Sequence, residues 1–447
     1  MMKFLMGALV VVLALGAGVF AMTRFLNSPE FKEQVLSTLT EAIGSEIEIE
    51  AMDISIWKGI SLGSVRIADA SGGSDDLIRA DRLILRHQLL PLLRRQVQID
   101  HLSLDHPVVT VRQREDGGWS FEQFLNARKE SSAQLGTSQV ETSQETSSFD
   151  FHLSQFSIID AEVSMVDSEG RVIAEVHDLD LNSSVHLLGE RLTAEGTVSA
   201  GAVQLGDSLL VTSVRAPVQI SPEEIKLSSV SGELAGGELS GDIVFNTAPE
   251  FQYLMDLRLT GADVNALLQE AKVEAEINGE LQVRVQVSGS GGLPTMVGEG
   301  EAWVSGGRVS QLPAQELLAS LLQAPPLREI DFDECLVEFT LADNILETPV
   351  IRLLSSTVQV TGQGSLSLED DQLDHDMMLA LSQEVLAPLP APLLKAFSPR
   401  EDGFDTLDFR LWGPFQSPQT DIQQKITRGA TEGLLEQGLE GLKNLFR

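Results

Sequence analysis

The chain has 447 residues and carries 66 Asp and Glu against 31 Lys and Arg, a formal net charge of −35. A surface that acidic repels phosphate, which speaks against nucleic acid as a partner. Aromatic residues at 5% argue against a stacking platform for single strands or sugars, and one cysteine, Cys335, excludes an internal disulfide framework.

In chain order, Phe4 to Met22 is a stretch of 19 residues without a charge, preceded by Lys3 and followed by Arg24. As a helix it spans roughly 28 Å, about one hydrocarbon core. It reads as an uncleaved N-terminal transmembrane helix with its N-terminus in the cytoplasm. A secretory signal peptide cut near Val19-Phe20-Ala21 is the alternative, and on either reading the rest of the chain is exported. Asn27 to Gly44 then predicts a helix. Ser28 is its cap, Pro29 stands in its first turn, Gly44 is its stop, and Phe31, Val35, Leu39 and Ile43 form one stripe.

From Glu46 onward strands dominate. Ile47 and Ile49 alternate with glutamates, and Ile54 and Ile56 continue the pattern after one slip. Between Leu83 and Leu125 the spacing predicts a strand through Val97, Ile99, Leu102 and Leu104, then a second through Val108, Val109 and Val111 with Pro107 at its start. Asp116 and Gly117 supply a tight reversal, Trp119 and Phe121 follow as an aromatic anchor, and Ser120 with Gln123 reads as a capping box opening a short helix. Glu130 to Ser148 has few apolar residues and reads as a flexible linker or long loop.

After Phe149 strands resume, punctuated by Gly, Asn or Asp as an antiparallel meander requires. Leu281, Val283, Val285 and Val287 alternate with polar residues, as do Val358 with Val360 and Leu366 with Leu368. Three short helices interrupt the strands: Asp263 to Lys272 with Asp263 as cap, Leu312 to Gln323, and Val385 to Phe397. They either flank an open sheet or serve as ordinary crossovers. The chain ends in an amphipathic stripe through Ile422, Ile426, Ala430 and Leu434, suited to packing on the sheet or to a membrane or partner.

Catalytic patterns are scarce. Cys335 stands among Asp333, Glu334 and Glu338, which oppose a thiolate. His101, Asp105 and His106 are the best metal-like cluster, yet strand alternation turns His106 away from the other two. Asp374-His375-Asp376 has the same fault, and Asp178/Asp180 and Asp331/Asp333 read as a solvated face. The chain is read as a non-enzyme with no cofactor and no metal site.

What remains is strand material that is apolar on one side and acidic on the other. A sheet with one apolar face must cover it, either with a second layer or with bound acyl chains. The expected fold class is mainly β: an elongated, curved antiparallel sheet forming an open, taco-like groove, with a few short amphipathic helices, and a sandwich closed by a second sheet is the alternative. The groove candidates are Ile47, Ile49, Ile54, Ile56, Leu281, Val283, Val285, Val287, Val358, Val360, Leu366 and Leu368. The expected divisions are residues 1–24 (anchor), 25–129 (first β region with its leading helix), 130–148 (linker), 149–415 (long β region) and 416–447 (terminal helix).

The chain resembles the AsmA-like family of Gram-negative envelope proteins, relatives of the bridge-like lipid-transfer proteins. At the front the resemblance rests on the N-terminal apolar segment, on Leu102-x-Leu104 with Pro107-Val-Val-Thr-Val-Arg, and on Asp116-Gly-Gly-Trp-Ser-Phe121. At the back it rests on Gly298 to Gly307, Asp343 to Val350, Val358 to Gly364, and Phe409 to Pro418. The resemblance implies an inner-membrane anchor, a periplasmic groove and a role in outer-membrane assembly or glycerophospholipid traffic, with no catalytic residues. Membrane lipids and envelope-assembly proteins are the implied partners. A scaffold that carries no lipid and an exported carbohydrate-active enzyme are the rival readings.

Overall fold

The computed structural model describes residues 47–55, 59–68, 76–87, 99–114, 118–121, 153–188, 191–206, 208–247, 251–270, 275–290 and 293–427. The apolar N-terminal segment, the helix expected over 27–44, Ile56, Asp116, Gly117, the helix opened by Ser120, and the 130–148 segment lie outside these residues. So does most of the terminal helix. Among the described residues no helix is long and apolar enough to cross a membrane.

Twenty strands are hydrogen-bonded into a single, mainly antiparallel sheet. Contacts divide the chain into two compact units. Unit 1 takes in the described residues up to Gly206 with Thr212–Ser228 and Val244–Phe251, and unit 2 takes in Asp207–Val211, Ser229–Ile243 and the chain from Gln252.

Unit 1 contains β1 (Ile47–Ser55), β2 (Gly59–Ala68), β3 (Asp76–His87), β4 (Ile99–Arg112), β5 (Gln155–Val166), β6 (Val172–Leu188) and β7 (Arg191–Leu205). The strand β4 runs unbroken through Pro107, where two strands were expected. His106 adopts a positive φ of 48° there, while the register holds step on either side, Arg82 opposite Asp105 and Ala80 opposite Pro107. One residue in the left-handed region kinks the strand and breaks its regular alternation of faces. Ser64, Asp160 and Asp178 do the same in β2, β5 and β6. This is why Leu62 and Val65, three residues apart and flanking Ser64, are both buried.

The meander is also not wholly antiparallel. β4 pairs with β5 in parallel, His101 opposite Gln155 and Arg112 opposite Val166. Parallel neighbours need a long crossover rather than a hairpin. Residues 113–154 make it, so the polar 130–148 segment lies within a connection between two paired strands. The crossover leaves β4 in an ordered turn. Gln113 donates to Val166 O at 2.8 Å, Ser120 N to Arg112 O at 2.8 Å, and Arg112 N to Ser120 Oγ at 3.1 Å. That turn buries Trp119 to 2% exposure. Its ring stacks near Phe121 (6.4 Å) and meets Phe251 edge-on (6.4 Å), and Phe251 in turn stacks near Phe245 (6.0 Å).

β8 (Leu209–Ile220), β9 (Glu224–Leu234) and β10 (Gly237–Asn246) are each divided between the two units. Unit 2 also contains β11 (Gln252–Asp263), β12 (Glu276–Gly289), β13 (Val297–Ser310), β14 (Glu329–Ala342), β15 (Ile345–Leu354), β16 (Val358–Ser367), β17 (Gln372–Ser382), β18 (Ser398–Pro399), β19 (Phe404–Pro414) and β20 (Gln419–Thr420). Each long strand from β11 to β17 pairs antiparallel with the next, and β17 pairs with β19. The helices are α1 (Val264–Glu270), α2 (Pro313–Leu322), α3 (Gln383–Leu386) and α4 (Ala391–Leu394). All four are inserted at one margin of this sheet, after β11, β13 and β17.

Their starts follow from sequence. Asp263 Oδ1 accepts the N–H groups of Asn265 (2.8 Å) and Ala266 (3.2 Å), as its capping role required. Pro313 opens α2, where its missing N–H costs nothing, and Gln323 ends it with a φ of 52°. The third expected helix splits into α3 and α4, since Pro388 and Pro390 interrupt the run, and Pro392 stands in the first turn of α4. The terminal stripe begins as expected over 422–427, with Ile422 fully buried and Ile426 packed on the same core.

Candidate functional site

The register of unit 2 sets apolar residues side by side from strand to strand. One row runs Leu281, Val304, Cys335, Leu353, Val360, Leu379, Leu407. The next runs Leu259, Val283, Ala302, Val337, Ile351, Gly362, Met377, Phe409. A third holds Met255, Val287, Gly298, Leu341, Leu346, Leu366, Leu373. Between the last two lies a row through Leu257, Val285, Gly300 and Phe339, continued by Thr348, Gly364, His375 and Leu411. Eight strands at about 4.8 Å apart make this floor roughly 34 Å wide, measured along the sheet.

The helices cover only one side of it. Leu318 and Leu322 of α2, Val385 and Leu386 of α3, and Leu389, Leu393 and Phe397 around α4 are buried. Most of these residues join one core with Leu281, Val304, Val358, Leu379 and Leu407. Away from that margin Val285, Val287, Val337, Phe339, Leu341, Leu346 and Ile351 are only partly buried. No second sheet packs on this face among the described residues.

Glycines face large cross-strand partners that lie over them. A Cβ on Gly300 would come within 2.6 Å of the Phe339 ring, one on Gly307 within 2.7 Å of Phe332, and one on Gly364 within 2.6 Å of the His375 ring. Absent side chains let these rings lie down on the backbone instead of standing up from it.

The opposite face is ionic. Arg284 pairs with Glu301 (3.0 Å), Arg308 with Asp331 and Glu329 (both 2.6 Å), Arg352 with Glu334 (2.7 Å), and Arg410 with Asp374 (2.7 Å). The Arg410 hydrogen bond holds the Asp374 carboxyl below the usual carboxylate range. These exposed pairs add little stability, but they keep this face wet while the other stays dry.

Of the groove candidates, Leu281, Val283, Val285 and Val287 share the floor with Val358, Val360 and Leu366. Leu368 lies one residue past the end of β16, its N–H donating to Asn344 O at 2.8 Å. Ile47 and Ile49 belong to unit 1, opposite Ile67 and Val65, and Ile54 is opposite Ile60. Pro107 is fully buried in β4.

The metal-like clusters are spoken for. His101 bonds Gln155 and Ser157, Asp105 accepts from Ser103, and His106 pairs with Asp160 at 3.0 Å. Among the described residues no group of three or more His, Cys, Asp or Glu is placed to hold a metal ion. Cys335 lies in the floor, its thiol pushed up to about 11 by burial and then by Glu334. Sequence reading weighed His375 only as part of a faulty metal-like cluster and missed its place in the floor, where it lies buried at 9% exposure with Thr348 beside it. Alternation did carry a signal, because His375 has the parity of Leu373, Met377 and Leu379.

Three comparisons bear on kinship. The family model described as AsmA family matches residues 1–190. Protein AsmA of Escherichia coli (strain K12) is 27% identical over 111 residues, 24% of this chain. The match spans 18% of that relative's length. No solved structure matches. The chain is thus similar to the AsmA family over its first 190 residues.

Proposed function

We propose that this is an inner-membrane-anchored, periplasmic envelope protein that carries acyl lipid, glycerophospholipid foremost, on the apolar floor of unit 2. The observation that carries the reading is the set of unbroken apolar rows across eight strands, partly exposed and walled by helices along one margin only. Such a surface is costly in water, at about 25 cal/mol per Å² of apolar area. An acyl chain laid on it gains about 0.8 kcal/mol per buried methylene without polar recognition. The apolar segment at Phe4 to Met22 supports the anchor, and the AsmA likeness supports the envelope. No chemistry is assigned to the chain.

The test places a photo-crosslinking residue at Val285, Leu346 or Ile351 in the full chain, with Gln286 on the ionic face as control. Lipid adducts at the three floor positions and not at the control are expected. Adducts to protein alone would favour the scaffold reading, and no adduct at any floor position would sink lipid carriage.

A further inference from the structure

The floor is apolar except at one place. Thr348 and His375 sit side by side in it, flanked on the same face by Leu373 and Met377 and across the strands by Leu411 and Gly364. Thr348 Oγ1 lies 2.9 Å from His375 Nε2 and 3.3 Å from Gly364 O. The hydroxyl has one proton. The arrangement that satisfies both contacts has Nε2–H donating to Oγ1 and Oγ1–H donating to the carbonyl. That leaves Nδ1 of the neutral imidazole as a bare lone pair, and Nδ1 is buried with no hydrogen-bond partner.

A buried polar atom left unpaired is costly and calls for an explanation. Leucine in place of His375 would complete the apolar row and carry no such cost. Nδ1 is closed off from solvent by its apolar neighbours. A partner therefore reaches it only as part of a molecule that lies on the floor and parts those side chains. Met377, flexible and only partly buried, is the neighbour best able to move. The lone pair accepts a donor; it turns away ester carbonyls and phosphate oxygens, which only accept.

We propose that Thr348 and His375 form a polar recognition point in the lipid floor, selecting acyl lipids with a free hydroxyl on the glycerol backbone or on a glycerol headgroup. This rests on the lipid-carrying reading above. The experiment loads the detergent-purified full chain with diacylglycerol mixed equally with its O-methyl ether, and separately with phosphatidylglycerol mixed with its O-methylated form. Retained lipid is counted by mass spectrometry. The hydroxyl form is expected in about five-fold excess in one or both arms, as one hydrogen bond allows. The arm that shows it identifies the source of the hydroxyl. His375→Gln leaves no atom at the Nδ1 position and abolishes the preference between the two forms among whatever lipid is retained. His375→Asn restores a polar atom there and regains part of it. Equal retention of both forms by the parent chain, with lipid bound, overturns the proposal and leaves lipid carriage standing. If neither form is retained, lipid carriage itself fails and the recognition point with it.

Discussion

At the scale of single residues, three side chains carry separable loads. Trp119 is the most voluminous fully buried side chain, and its ring ties the start of the crossover to Phe251. Trp119→Ala should cost about 3–5 kcal/mol, read as an earlier denaturant midpoint for unit 1. A loss under about 1 kcal/mol would mean the ring is dispensable. For His375, burial holds the imidazole below its ordinary pKa, with Asp374 partly opposing. The unfolded chain therefore binds the proton first as pH falls, and stability drops from about pH 6.5 downward through the folded value. His375→Gln should flatten that part of the pH–stability curve, and a parallel shift of the whole curve would refute the assignment. The glycines of β16 separate two kinds of crowding. A Cβ at Gly362 meets the movable end of Met377, whereas one at Gly364 meets the Asp374 carbonyl at 2.3 Å and the His375 Cα at 2.5 Å. Gly364→Ala should thus destabilise by about 1–3 kcal/mol and Gly362→Ala by less; thermal melts showing the reverse order would contradict the packing described.

At the scale of elements, the strands of unit 2 were legible because a half-exposed sheet writes its pattern as alternation. Leu281 to Val287 reads correctly on its own. Unit 1 was less legible. Its left-handed residues Ser64, His106, Asp160 and Asp178 interrupt the extended backbone, so a strict period of two fails at the middle of a continuous strand. Pro107 consequently looked like a boundary between strands when it follows a kink inside one. The parallel pairing of β4 with β5 left no local trace, since direction depends on where a long crossover returns. Helix caps, by contrast, are local chemistry, and Asp263 was identifiable from its position alone. At this scale Cys335 supplies a probe. With its thiol pushed up to about 11, alkylation at pH 8 should run about a hundred-fold slower than for an ordinary cysteine. Loading with lipid should slow it further, and an ordinary rate would show that the floor is open at that row.

At the scale of the whole molecule, charge dominates. A formal −35 on 447 residues means self-repulsion that opposes folding and that salt screens. The melting temperature should rise by several degrees between about 10 mM and 200 mM salt, as followed by calorimetry. Indifference to salt would mean that the ion pairs on the outer face already balance the field. By itself the sequence determined the class of element, the dry and wet faces of the regular strands, the caps and the charge. Each of these depends on neighbours within a few positions. Only the tertiary structure decided which strands lie together, that α1 to α4 gather at one margin, and that His375 faces an apolar floor with an unpaired nitrogen. Those facts arise from register across strands far apart in the chain, where one step of slip exchanges the two faces and no short stretch of residues records it.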